Sequence, residues 1–239
     1  PWVSTWLQTA GVNTLRPKLE TDANGTITAF TIEQTAPAEW PTIRPHRMAI
    51  GFYNLIDGKL QREHRVELDV DGSRTEVIQL LGLQRPDLVL LNDDDLAYAK
   101  IRLDDKSWNT ALEHLSSFED SLARTLIWGA AWDATRDAEA SPRDFIKLVL
   151  NNIGTESEST TMLTLLRQLI TAGNMFVAEE HRAETLREIG AGLLKLAREA
   201  EAGSDAQLQF TKFFAQFATG SDQLDALAAI LNGDEQLAG

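Results

Sequence analysis

The 239-residue chain has no cysteine. That excludes a disulfide framework, a thiolate metal site and a cysteine nucleophile. It suits a reducing, cytoplasmic interior. Basic residues are scarce: 22 Lys and Arg stand against 36 Asp and Glu, a net charge of −14. Such a chain lacks the basic face that neutralises nucleic-acid phosphates or docks on an anionic membrane. No apolar run approaches the roughly 20 residues of a membrane span. There is no H-E-x-x-H, no G-x-S-x-G, no glycine-rich phosphate loop and no dinucleotide fingerprint. The chain opens at Pro1 without a methionine, a basic leader or a signal core, so we expect a piece of something longer.

What is present is globular material, with 43% hydrophobic and 24% charged residues. Its organising stretch runs from Leu88 to Asp104. Before it the hydrophobic pattern has period two; after it the period is helical. Leu88 to Leu91 suits a buried strand, and Asn92 to Asp95 a polar turn. Ala97, Ala99, Ile101 and Leu103 then alternate with Tyr98, Lys100 and Arg102, as in a strand. Asp105 and Ser107 offer caps for a helix containing Trp108.

Residues 1 to 10 read as a helix tail, with Trp2 and Trp6 on one face and Gly11 as its terminating glycine. Two large aromatics there fit either an upstream partner or a helix folded onto its own domain. Asn24-Gly25, Asp57-Gly58 and Asp71-Gly72 mark strand turns. Met48, Ile50, Phe52 and Ile56 form one strand face. Leu60, Val66, Leu68 and Val70 form another, opposite Glu63, Arg65, Glu67 and Asp69. We expect a small antiparallel β-sandwich.

From Ser107 onward the stripes are helical. Ser141-Pro142 caps Phe145, Leu148 and Val149, and Ser159 caps Met162, Leu165, Leu166 and Leu169. Leu186, Ile189, Leu193 and Leu196 follow. Ser204 caps Phe210, Phe213, Phe214 and Phe217, and Ser221 caps Leu224, Leu227, Ile230 and Leu231. Short links between such helices imply stacked hairpins, an α-solenoid. The expected fold class is α+β with the two kinds of structure segregated.

The candidates for chemistry have plainer readings. Glu179-Glu180-His181 lacks a second histidine at helical spacing and reads as a solvated helix face. His46, His64 and His114 are scattered. Asp93-Asp94-Asp95 lacks the alternating ligands, glycine and bidentate glutamate of a calcium loop, and reads as a turn. Residues 155 to 161 read as a loop and cap, and Trp128 with Trp132 as core. We therefore assign no catalytic, cofactor-binding or metal residue.

Two stretches carry a resemblance. Trp6-Leu7-Gln8-Thr9-Ala10-Gly11 is similar to the W-L-x-x-x-G junction that follows the catalytic domain in the aminopeptidase N family of zinc metallopeptidases. Leu91-Asn92-Asp93-Asp94-Asp95-Leu96-Ala97-Tyr98-Ala99-Lys100-Ile101-Arg102-Leu103-Asp104, with Trp108, resembles that family's sandwich-to-helix transition, in its actinobacterial wording. Gln223 to Gly239 resembles a helix and loop of its helical domain. The resemblance implies the tail of the last catalytic-domain helix at 1–11, a β-sandwich at 12–104 and a truncated helical domain at 105–239. It implies a parent hydrolase that uses zinc to remove N-terminal residues from peptides. The family's zinc ligands and catalytic tyrosine belong upstream, so no cofactor is expected in this piece. Its expected partners are the catalytic domain of the same chain, the parent's peptide substrates and a second copy, weakly, through the C-terminal helices. The alternative is a stand-alone adaptor whose helices bind a protein; a carbohydrate-binding sandwich has no supporting aromatic pattern.

Overall fold

Turn chemistry places the strands. Asn24-Gly25 joins β1 (Thr14–Thr21) to β2 (Ile27–Thr35). Asp57-Gly58 joins β3 (His46–Ile56) to β4 (Lys59–Val70), and both residues have positive φ, as a primed hairpin turn requires. Asp71-Gly72 leads into β5 (Arg74–Glu76), and β6 (Leu88–Asp93) and β7 (Lys100–Ile101) follow. The computed structural model describes residues 2–235 and Leu237. Among these the strands form two sheets, in the orders β5-β2-β1-β7 and β4-β3-β6. All pairings are antiparallel except β1 with β7. The sheets meet at Phe30 and Phe52, whose ring centroids lie 6.1 Å apart.

Eight α-helices complete the described residues, in an α+β order that segregates strands from helices after a short opening helix. They are α1 (Trp2–Trp6), α2 (Asp105–His114), α3 (Ser121–Arg136), α4 (Pro142–Asn152), α5 (Ser159–Thr171), α6 (Glu179–Glu199), α7 (Asp205–Phe217) and α8 (Ser221–Asn232). Two compact units result, Pro1–Ala134 and Thr135–Gly239, so α2 and nearly all of α3 group with the sheets.

In the second unit the expected stripes of α4, α5 and α7 and the middle of that of α6 are core. The expected α8 stripe is not: Leu224 and Leu231 are exposed, and Leu227 and Ile230 are half-buried. Phe145, Leu148 and Val149 of α4, Leu165, Leu166 and Leu169 of α5, Ile189 and Leu193 of α6 and the four phenylalanines of α7 are all buried. Each such side chain is worth about 1.5–3 kcal/mol in transfer from water. Ser141 and Ser204 cap α4 and α7 by accepting from Asp144 N and Gln207 N. Ser159 and Ser221 do not cap. Each helix starts one residue earlier than expected, so Glu158 and Gly220 hold the cap positions. Ser159 instead donates to Asp205 of α7 at 2.9 Å. After α5 the helix widens into a π turn, Ala172–Phe176, which leaves Met175 72% exposed. Only Gln223 of α8 is fully buried; it accepts from Thr219 N and donates to Arg187 O, lying against Gly190.

Two expectations shorten. The alternation from Ala97 to Leu103 yields only the two residues of β7, held where Lys100 N donates to Asn13 O and Arg102 N to Leu15 O. The helical opening ends at Trp6. Gly11, at φ +86°, lies beyond it, with its Cα packed against Trp40.

Ala138, between α3 and α4, has φ +59°. A left-handed L residue costs about 1–2 kcal/mol, and glycine's extra unfolded-state entropy returns part of any gain. Ala138→Gly should therefore raise stability by up to about 1 kcal/mol, read as a higher urea midpoint by circular dichroism. A lower midpoint would contradict the strain.

Candidate functional site at the seam and the opening segment

Two bulges build the seam. In β4, Glu63 has no partner, because Phe52 pairs with His64 and Tyr53 with Arg62. In β6, Asn92 has none, because Ile50 pairs with Leu91 and Ala49 with Asp93. Each extra residue reverses the side on which later side chains fall. The first brings Arg62 to the side of Arg65, Glu67 and Asp69. Leu60 goes with it, a correction to its expected place beside Val66, Leu68 and Val70. The second takes Asp93 off the apolar face of Leu91 and sets it beside Gly51 and Tyr53.

Asn92 can hold this bulge because Asn and Asp tolerate left-handed backbone. Its φ is +55°, and Asp94 and Asp95 also have positive φ. The Asn92 amide donates to Ala97 O at 2.8 Å and accepts from Ala97 N at 2.8 Å, closing the turn around one buried side chain. The expected polar turn is therefore real, but Asp93 is no solvated turn residue. It is 1% exposed. Its Oδ1 accepts from the Tyr53 hydroxyl at 2.8 Å and its Oδ2 from Arg62 Nη1 at 2.9 Å. Gly51 makes room: a Cβ there would stand 2.3 Å from Asp93 Oδ2.

A ladder of alternating charge continues outward. Arg62 Nη1 also reaches Asp94 Oδ1 at 2.8 Å, and Arg65 Nε donates to Asp94 Oδ2 at 2.7 Å. Arg65 and Arg47 share Glu67, and Arg47 also holds Asp69 at 3.1 Å. Hydrogen bonds from Arg62 chiefly, then Arg65, hold the Asp94 carboxyl below the usual carboxylate range despite opposing desolvation. Arg47 and Arg65 do the same to Glu67. Burial, with Asp93 beside it, pushes the Tyr53 hydroxyl far above its ordinary value, so it remains a donor.

The seam's far end is tied by Asp104, one residue before the expected caps. Asp104 accepts from Lys106 N and Ser107 N, takes the Ser107 hydroxyl at 2.7 Å and pairs with Arg85 at 2.7 Å. Ser107, buried in the first turn of α2, in turn accepts from Val89 N at 2.8 Å, fastening α2 to β6.

The opening segment has its own anchor. The rings of Trp2 and Trp6 stack at 6.4 Å, as four-residue spacing implies. Arg44, 3% exposed, lies over Trp6 at 5.4 Å. Its Nε donates to Thr5 O, and its Nη2 to Thr9 O, Thr9 Oγ1 and Ala10 O, at 2.9–3.2 Å. Asn13 accepts from Arg44 N and donates to Thr42 O. His46 meets Trp6 edge-on at 5.4 Å and bonds Gln34 Oε1 through Nε2 at 2.8 Å. Gln34 Nε2 is spent on Gly72 O, so its oxygen faces His46 and makes His46 Nε2 the donor. Burial, then the Arg44 charge, lowers the His46 pKa. Around this anchor Trp2, Val3, Leu7 and Tyr98 remain exposed.

The other sequence candidates do not assemble. His64 lies on β4 against Phe52, His114 ends α2 beside Glu113, and Glu179, Glu180 and His181 are exposed in the first turn of α6. Among the described residues no three His, Cys, Asp or Glu side chains are grouped to hold a metal. Trp128 is buried in α3 while Trp132 is only half-buried. Of residues 155 to 161 only 156–158 form a link, Thr155 ending the short helical turn after α4 and 159–161 opening α5. Sequence reading missed Arg44, Tyr53 and Arg62; it set Arg65 on the correct face but missed its pairing with Asp94, and the spacing of Arg62 and Arg65 carries the signal. Three residues apart, Arg62 and Arg65 would fall on opposite faces of an unbulged strand.

Because the Asp94 and Glu67 carboxyls sit below their unfolded values, the stabilisation they contribute is complete above about pH 4–5, near model carboxylate pKa values, and is lost as pH falls through the lower folded-state values. The urea midpoint should therefore fall on acidification below about pH 4. Asp94→Asn should lower the neutral-pH midpoint and flatten that acid slope. An unchanged slope would show that Asp94 contributes nothing to the titration.

Comparison with known proteins places these elements. A family model described as the ERAP1-like C-terminal domain matches residues 88–237. Over 245 aligned residues the chain is 49% identical to a protein of Streptomyces lividans named Aminopeptidase N. That match takes in 100% of this chain and 29% of the relative, so the chain spans under a third of that relative's length.

Proposed function

From a chain that belongs to the ERAP1-like C-terminal domain family, we infer a non-catalytic portion of a zinc-dependent aminopeptidase N that removes N-terminal amino acids from peptides. The observation that carries this reading is the 49% identity along the whole chain to a protein of that name. The seam and opening motifs that resemble the aminopeptidase N family support it. Among the described residues no group of three donors suits a catalytic zinc, and in this reading the metal and the chemistry belong to the rest of the parent.

In this reading residues 1–11 end the last catalytic-domain helix, 12–104 form a β-sandwich spacer and 105–239 begin a helical, solenoid-like domain. The exposed Trp2, Val3 and Leu7 face the parent's catalytic domain. The helical part caps the active-site cavity and restricts entry to short peptides. The parent is cytoplasmic. Among the described residues no helix is long and apolar enough to cross a membrane.

Two experiments test the reading. The isolated chain should hold no stoichiometric zinc after dialysis and should not turn over an aminoacyl chromogenic substrate; the full parent should do both. Removing residues 135–239 from the parent should raise its activity on long peptides relative to a dipeptide. An unchanged ratio would remove the capping role.

The helical end supports a further contact. Leu224 and Leu231 of α8 and Leu208 of α7 are at least half exposed. Covering roughly 400 Å² of such surface is worth about 10 kcal/mol before association costs, which consume most of it. A weak, concentration-dependent homodimer through these helices is expected. Light scattering across a concentration series should show it, and Leu224→Gln with Leu231→Glu should abolish it. A strict monomer at high concentration would end this idea.

A further inference from the structure

We propose that the cavity bounded by Trp6, Arg44 and Tyr98 is a carboxylate-binding site. It has a volume of about 240 Å³ and is also lined by Thr9, Gly11, Val12 and Asn13. The functional reading above does not require it.

Arg44 is the reason. A buried guanidinium is costly unless its charge is answered. Among the described residues no carboxylate forms an ion pair with it. Its four side-chain hydrogen bonds all go to carbonyl or hydroxyl oxygens of residues 5 to 10, and all use Nε and Nη2. Nη1 has no protein partner among the described residues, although Arg44 lines the cavity.

The neighbouring polar groups are already committed. The Asn13 amide bonds Thr42 O and Arg44 N. The Thr9 hydroxyl donates to Thr5 O and accepts from Arg44. The unspent capacity is therefore cationic and single. It matches one carboxylate, whereas a doubly charged phosphate would remain half-neutralised. Trp6 and the exposed Tyr98 supply flat apolar walls for the stem that carries the acid. The volume lies below the roughly 300 Å³ of pockets for drug-sized ligands, so a small acid or one acidic side chain fits. The net charge of −14 repels anions in general. Binding here would therefore reflect the cavity rather than the surface field.

The carboxylate could come from a free small acid or from a Glu or Asp side chain of a polypeptide lying over α1. Titrating the ¹⁵N-labelled chain at constant ionic strength separates these sources, with the Arg44 Nε–H and Trp6 indole resonances as readout. The probes are sodium acetate, N-acetyl-glutamate methylamide and, as neutral control, N-acetyl-glutamine methylamide. Saturable shifts with carboxylates and none with the glutamine compound are expected. Tighter acetate binding assigns the site to free acids; tighter binding of the glutamate compound assigns it to an acidic side chain. Tyr98→Ala, at an exposed position, should weaken binding several-fold with the fold intact. Arg44→Lys, which cannot hold the oxygens of residues 5 to 10 as Nε and Nη2 do while also presenting a separate N–H group to the cavity, should abolish it. Non-saturating shifts that the glutamine compound or chloride reproduce would overturn the proposal, as would full binding by Arg44→Lys.

Discussion

A carboxylate taken out of water must be met by donors, and the first unit is arranged around meeting one. Asp93 is received by a tyrosine hydroxyl and a guanidinium, beside a glycine whose missing side chain leaves the space. None of these contacts would exist in regular strands. The Asn92 bulge turns Asp93 to the polar side, and the Glu63 bulge brings Arg62 to the same side. One sheet face thereby carries an ionic ladder while the opposite face keeps Met48, Ile50 and Phe52 for the core. Exposed ion pairs alone contribute little. The buried member gives the ladder its weight, because removing either partner would strand a charge.

Arg44 solves a similar problem without a carboxylate. Carbonyl oxygens of the opening segment gather around the guanidinium, and Trp6 covers it. The segment therefore has fixed geometry, although α1 is a helix of five residues. An isolated helix that short would be marginal in water. Asp104 and Ser107 do comparable work at the start of α2, where one capping side chain and one buried hydroxyl join a strand to a helix.

Much of this was readable in the residues. The helical stripes are a local property: once Phe210, Phe213, Phe214 and Phe217 recur at helical spacing, their burial follows. The three Asx-Gly turns likewise act through their own backbone. The bulges were not readable, because a bulge is defined by the partner strand's register, and the sequence of β4 does not name its partner. Simple alternation therefore sets Leu60 beside Val66 and Asp93 within the turn, and the bulges move both. Helix starts slipped by one residue at Ser159 and Ser221 because the cap is decided by backbone angle, not by the presence of a hydroxyl. Arg44 left no pattern, since its partners are backbone oxygens at distant positions. Family membership was legible where the seam and the opening carry their particular wording.

The π turn after α5 has a consequence for oxidation. With no cysteine, the three methionines are the chain's only sulfur. Met48 and Met162 are sealed in the two cores, while the widened helix turns Met175 outward. An oxidant meets that thioether first, and the sulfoxide formed there adds polarity where water already is. Oxidation at Met175 is of the kind that methionine sulfoxide reductases reverse, and it leaves the packing of both cores untouched.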